Sequence, residues 1–349
     1  MKDYGRVSKI YHDALGLRLS EDPLVPSTLS QYIMPVPREE FLSPIWKDGI
    51  FKDKVLFCTG GAGTICSMQV RAFVALGGNA CIIGRNVEKT ENGAKDIATV
   101  RPGAKVIGLG NVDVRNPEAL QSAADRCAKE LGGIDFAIAG AAGNFLAPMS
   151  QLSANAFKTV IDIDTIGSFN TAKACLPYLV ESVKKHKNSG KSNPTGTGGR
   201  IIFISASFHY NGAPLQSHVM AAKAAVDQIS NATAIEYGPY GITSNVITPG
   251  PIANTEGMER LSRMDERSKE RSQKSIPVGR WGEMKEIADA TVFLFSEAAS
   301  YINGHVLVVD GGQWRMGTGM SGGAWQYPDF LMSGDEITGV KSGRRSSKM

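Results

Sequence analysis

The sequence predicts a doubly wound α/β fold on a seven-stranded parallel sheet, held in a single domain with N- and C-terminal extensions. Three observations carry that expectation. Short apolar runs alternate with helical-period segments from Lys54 onward. The runs are apolar almost throughout, as strands covered on both faces are. A glycine-rich turn, TGGAGTIC from Thr59 to Cys66, joins the first run to the first helical segment.

Residues 1–49 come first, dotted with prolines in PLVPS and MPVPREE and showing no sustained period, so they are expected as an arm outside the core. Met34 stands just ahead of the foldable pattern and is a candidate start of translation, which would leave residues 1–33 out of the native chain. The strands expected are KVLFCT (54–59), ACIIG (80–84), AKVIGL (104–109), IDFAIAG (134–140), RIIFIS (200–205), ITSNVI (242–247) and HVLVVD (305–310). Long period-3.6 segments span 155–185 and 217–237, with another near 283–296. KKHKNSGKSNPTGTGG, 184–199, is polar and rich in Gly, Ser and Lys, and reads as a surface loop. The resulting division is an arm (1–49), a sheet domain (50–315) and a loose C-terminal tail (316–349).

With 349 residues and 42% apolar content, the chain is long enough for one large core. A net charge of +4 falls short of the basic stripe that nucleic acid requires and suits small anions such as phosphates. Five cysteines and five histidines show no metal-ligand spacing, so no metal is expected and the thiols read as reduced and buried. No stretch approaches the ~18 consecutive apolar residues of a membrane span, and the first residues lack a secretory signal. An intracellular protein is expected.

Gly60, Gly61 and Gly63, with Ala62, Thr64 and Ile65, form a turn that lets backbone approach a pyrophosphate at the start of the next helix. This makes the fold Rossmann-type and predicts a dinucleotide. At the end of the second strand stands Arg85, where an acid would bind a ribose 2′-hydroxyl. Its guanidinium suits a 2′-phosphate, so NADPH is expected over NADH, the alternative being a solvated surface charge. Asn86 and Lys89 follow it in the same candidate site. Asp113 is placed to accept from the adenine amino group, or else to cap the helix that starts near Pro117.

The spacing TG-x-x-x-G-x-G, the turn AGAAGNF after the fourth strand, a lysine in a helix after the fifth strand and a later P-G together resemble the short-chain dehydrogenase/reductase family. Residues 50–315 resemble one complete member. That family's catalytic set is Asn, Ser, Tyr and Lys. Aligned on Lys223, the tyrosine position holds Val219, the serine position Ala206 and the asparagine position Asp164. A carbonyl reductase needs an acid beside the developing alkoxide, which valine and alanine cannot supply. Either the chain is a non-catalytic NADP-binding subunit, or hydride goes to a carbon conjugated to a distant carbonyl.

AAGNF, LSANAFKTVIDIDT, HVMAAKAAVD, TPGPIANTEG and the late DGG resemble the peroxisomal 2,4-dienoyl-CoA reductases, their fungal branch above all. The resemblance implies NADPH-dependent reduction of 2,4-dienoyl-CoA to 3-enoyl-CoA in β-oxidation of polyunsaturated fatty acids. A CoA-linked polyene of secondary metabolism is the alternative substrate.

It also implies roles. Lys223 would hydrogen-bond the nicotinamide ribose and pair with Asp164, the two holding a water that protonates the α-carbon; a buried ion pair without chemistry is the alternative. Asn144 would donate to the thioester oxygen and Phe145 cover the diene. Phe208, His209 and Tyr210 follow the fifth strand, Tyr210 as a reserve proton donor or a packed aromatic. Pro249, Gly250, Pro251, Ile252 and Thr255 would run along the nicotinamide, with a loop from Glu256 to about Lys274 forming a mobile lid. Arg85, Arg115, Ser153, Ala154, Asn155 and Arg260 are the CoA candidates, an exposed idle arginine being the alternative for Arg115 and Arg260. Ser347-Lys348-Met349 resembles the address read by the peroxisomal import receptor, and a homo-oligomer, tetramer or dimer, is implied through the two long helices.

Overall fold

The computed structural model describes residues 36–188, 197–261 and 266–316. Its strands are β1 (Val55–Thr59), β2 (Asn79–Ile83), β3 (Val106–Leu109), β4 (Phe136–Ala139), β5 (Arg200–Ile204), β6 (Thr243–Pro249) and β7 (Val306–Val309). All pair in parallel in the order β3-β2-β1-β4-β5-β6-β7. The order reverses between β1 and β4, and a crevice opens at the carboxyl ends of strands at such a point.

Parallel strands need crossover helices. Those linking β1 to β4 are α1 (Thr64–Ala75), α2 (Val87–Ala98) and α3 (Pro117–Leu131). Between β4 and β5 lie α4 (Ala154–Val160) and α5 (Gly167–Lys185), and between β5 and β6 the short α6 (Phe208–Asn211) and the long α7 (Ser217–Tyr237). The chain then forms α8 (Glu256–Leu261), α9 (Glu266–Lys274), α10 (Met284–Phe295) and, after β7, the single turn α11 (Gln313–Met316).

Period-2 alternation divides each strand between two apolar layers. Leu56, Cys58, Phe136, Ile138 and Ile202 face the layer built with α1 and α10. Their neighbours Phe57, Ala137, Ile201 and Phe203 face the layer built with α3 and α5. Both faces are therefore dry, which is why the strands read as unbroken apolar runs. All five cysteines are unpaired and buried in these layers.

Three expectations are corrected. Residues 36–49 do not lie outside the core: Phe41 and Leu42 are buried in the α1–α10 layer, and Asp289 on α10 accepts from Ser43 N at 3.0 Å and Trp46 Nε1 at 2.7 Å. Anchorage here rests on a few side chains rather than on a period. The segment from Glu256 to Lys274 is helical where described, as α8 and α9, rather than a loop. The helix expected over 155–185 is interrupted at Ile161–Ile166 by a wider π turn. A π turn holds one more residue than an α turn, so Asp164 and the core-facing residues of α5 satisfy different directions. Met34, Ser347, Lys348 and Met349 lie outside the described residues.

Candidate active site

β1 ends in Thr59 and the chain turns through Gly60, whose φ of 68° disfavours any side chain and whose Cβ, if present, would stand 2.9 Å from the Gly140 carbonyl oxygen. The turn after β1 and the loop after β4 thus touch backbone to backbone. Gly63 N-caps α1 without any side chain to satisfy the helix N–H groups, and that start suits a phosphate. At the far side of the crevice Gly250 follows β6, and a Cβ there would meet Asp310 at 2.5 Å. The Gly60–Gly63 turn and the uncapped start of α1 are of a kind that suits a pyrophosphate.

Around it the polar candidates are partly committed. Arg85 is exposed at the end of β2, near enough to Asp113 to act on its charge. Asn86 Oδ1 accepts Lys89 N at 2.7 Å and caps α2. Lys89 Nζ pairs with Glu256 Oε1 at 2.7 Å, and Thr64 Oγ1 accepts Glu256 N at 3.3 Å, so the start of α8 meets the phosphate turn. Arg115 engages both oxygens of Asp113, at 3.0 Å from Nε and 2.6 Å from its terminal nitrogen. That contact holds the Asp113 carboxyl below its usual range. The cap before α3 is Asn116, which accepts Ala119 N at 2.9 Å, and not Asp113. Thr255 is buried and its hydroxyl donates to the Ile252 carbonyl at 2.9 Å, tying the end of TPGPIANT.

The centre lies deeper. Asp164 is 0% and Lys223 6% exposed. Two such charges stay buried only as a pair. Lys223 Nζ stands 3.0 Å from Asp164 Oδ2 and donates to the Ile204 carbonyl, also at 3.0 Å. The first contact is an ion pair off the hydrogen-bond direction, which leaves Oδ2 without a hydrogen-bond partner among the described residues. Oδ1 accepts Gly143 N at 2.7 Å. Val219, at the tyrosine position, is buried with Val160 and Ala222, with Phe145, Ile161 and Phe208 packed against them. No side-chain acid stands at the Val219 or Ala206 positions.

The Tyr210 hydroxyl is engaged within the protein. It donates to Asp227, and burial together with that carboxylate pushes the phenol pKa up. His209 lies between Ala206 O at 2.5 Å and Asp227 Oδ2 at 2.9 Å, so α6 is fastened to α7.

The structure therefore brings Asp164, Lys223 and the Gly143–Phe145 loop together, with exposed Asn144 in that loop. Lys89, Thr64 and Glu256 form a second group. Ser153 caps α4 by accepting Ala156 N at 3.2 Å, beside the exposed Ala154 and Asn155. Arg260 lies in α8, and its side chain lies outside the described residues. Sequence reasoning missed His218, which is 0% exposed and reaches the Phe145 carbonyl. Its signal was a polar residue beside Val219 in an otherwise apolar run.

A crevice of this make, with a buried lysine beneath it, places the chain among the nicotinamide-dependent α/β oxidoreductases. Residues 60–313 match the family model described as Enoyl-(Acyl carrier protein) reductase. The chain belongs to the short-chain dehydrogenase/reductase family. It is 49% identical over 288 residues to the peroxisomal 2,4-dienoyl-CoA reductase SPS19 of Saccharomyces cerevisiae, covering 82% of this chain and 92% of that one. The Danio rerio protein named peroxisomal 2,4-dienoyl-CoA reductase is 40% identical over 270 residues, 77% of this chain and 84% of its own. Both are named as producing the (3E)-enoyl-CoA. Among solved structures, a short chain dehydrogenase from Bacillus anthracis superposes with a TM-score of 0.64 at 34% identity, over 75% of this chain and 97% of that one.

Proposed function

We propose that this chain is an NADPH-dependent reductase that converts 2,4-dienoyl-CoA to 3-enoyl-CoA in the peroxisome. The observation that carries the reading is Val219 at the family's tyrosine position inside an apolar cluster, while Lys223 is kept beneath it and paired with Asp164, which stands at the asparagine position. A site so built has no acid for a ketone oxygen, yet keeps charge where a proton must be delivered to carbon. The similarity to reductases named for this reaction supports the same substrate class.

When bound, the reduced nicotinamide supplies a hydride to the far end of the diene. Electron density then moves through the conjugation to the thioester oxygen, where Asn144 donates and limits the charge. Phe145 and the Val219 cluster exclude water from the chain. Asp164 and Lys223 hold the water that gives its proton to the α-carbon, completing addition of one hydride and one proton.

Gly60, Gly61, Ala62, Gly63, Thr64 and Ile65 cradle the pyrophosphate of the cofactor, and Lys223 also orients its ribose. Arg85, with Lys89 beside it, favours the 2′-phosphate of NADPH. Arg85, Arg115, Ser153, Ala154, Asn155 and Arg260 are assigned to the CoA portion, Arg115 on exchanging Asp113 for a phosphate. Ile166, Phe169 and Ile235 are exposed apolar residues on or beside the two long helices, supporting a homo-oligomer through them. Ser347-Lys348-Met349 supports delivery by the peroxisomal import receptor. No helix among the described residues is long and apolar enough to cross a membrane.

The test is to follow NADPH absorbance with hexadienoyl-CoA and with simple ketones. Consumption with the thioester and none with ketones is expected; the reverse pattern overturns the reading.

A further inference from the structure

The loop that carries Asn144 is pinned on both sides. Ahead of it, Gly143 N donates to Asp164 Oδ1 at 2.7 Å. Behind it, the Phe145 carbonyl oxygen lies 3.0 Å from His218 Nε2, and the two rings stack with centroids 4.3 Å apart at 25°. A carbonyl oxygen only accepts, so Nε2 carries the hydrogen. His218 Nδ1 is buried with no hydrogen-bond partner among the described residues, which suits a bare lone pair and would leave an added N–H unsatisfied.

We propose that His218 is a positioning residue for the reaction: its Nε2–H fixes Phe145, and with it Asn144, against the thioester, and a second proton on the buried, unpartnered Nδ1 drives the ring from its place and releases that loop. The proposal rests on the dienoyl-CoA reading above. The charged group facing His218 is Asp164, on the π turn, with Lys223 further along its own helix. Burial lowers the ring's affinity for a second proton; the Phe145 hydrogen bond and Asp164 act in the opposite sense and do not outweigh it. The neutral ring is thus the working form at neutral pH, and the loop comes loose on the acid side.

The test compares the parent with His218→Gln, which keeps a donor where Nε2 stands but does not titrate, and His218→Phe, which keeps the stacked ring without a donor. Hexadienoyl-CoA turnover is measured across pH, and NADPH affinity by its fluorescence. The parent is expected to lose about tenfold in kcat/KM below the ordinary imidazole range, chiefly through KM for the thioester, the size of one neutral hydrogen bond. His218→Gln keeps neutral-pH activity within about threefold and loses the acid limb. His218→Phe falls about tenfold at every pH, with NADPH binding unchanged throughout. An acid limb that persists in His218→Gln, or a parent-like His218→Phe, overturns the proposal. If His218→Phe does not fold, the His218→Gln profile decides alone. A parent enzyme that ignores dienoyl-CoA defeats the functional reading instead, and this role falls with it.

Discussion

Asp164 holds Gly143 through Oδ1 while Oδ2 faces the Lys223 ammonium, so one carboxylate serves both the buried charge and the loop that carries Asn144. Removing it therefore has two effects of different kind. Asp164→Ala leaves a buried cation without its counter-charge, an expected cost of ~3–5 kcal/mol in stability. Turnover of hexadienoyl-CoA should fall ~10²–10⁴-fold. Asp164→Asn keeps an acceptor for Gly143 and should retain more stability but little turnover. Thermal midpoints and kcat/KM measured together separate the two; an Asp164→Asn enzyme as active as the parent contradicts the catalytic role.

Restoring a phenol at the family's tyrosine position does not restore a ketone reductase. Val219 is 2% exposed among Val160, Ala222, Phe145 and Phe208. Val219→Tyr overfills this cluster and should cost ~1–3 kcal/mol. With Ala206 at the serine position, ketone reduction stays at background. A lowered thermal midpoint without new activity is the expected result.

Arg85 is the candidate for telling NADPH from NADH. Arg85→Ala should raise KM for NADPH by about 10–100-fold, the size of one or two charge-assisted hydrogen bonds, and leave KM for NADH nearly unchanged. Equal effects on both cofactors would assign Arg85 to another task.

Asp289 should be the staple of the N-terminal segment. It accepts from Ser43 N, Ser43 Oγ and Trp46 Nε1, bridging some two hundred and forty residues of sequence. Asp289→Ala is expected to cost roughly 2–3 kcal/mol, read as a lower urea midpoint, with faster tryptic cleavage at Lys47.

Acid should weaken the fold through His186. Its ring lies 2.9 Å from Asp135 Oδ1, and the same carboxylate accepts Ser182 Oγ at 2.6 Å and Val55 N at 2.8 Å. Burial, helped by the charges of Lys54 and Lys185, lowers the His186 pKa against the raising effect of Asp135. The unfolded chain therefore takes up the proton first as pH falls past the ordinary value of 6.5, and stability declines from there down to the lower native value, then levels off. His218, lowered in the same direction, adds to the decline. Denaturation midpoints of His186→Gln should show a shallower pH slope in this window, and an unchanged slope would exclude His186.

The sheet was legible because a strand covered on both faces is a continuous apolar run: β5 was expected at 200–205 and spans Arg200–Ile204. The Asp164–Lys223 pair was legible from a family spacing, since a fixed offset along α7 and the neighbouring helix brings both under the crevice. What was hidden depends on tertiary packing. IDIDTIGSF keeps an apolar rhythm through its π turn, so nothing local announces the extra residue. Asn86 and Ser153, expected as ligand contacts, also cap helices, a role that was hidden because a side-chain oxygen that suits a ligand also suits a free helix N–H. Phe41 and Trp46 anchor an irregular segment through single contacts that no periodicity records.

The five thiols of this chain are all enclosed, and for Cys58, Cys81 and Cys175 burial pushes the pKa well up. A sulfur held as the protonated thiol is a poor nucleophile toward hydrogen peroxide or alkylating reagents. Oxidation of these thiols in the folded chain must then wait for openings of the sheet layers, so its pace without added reductant reports how often those layers breathe.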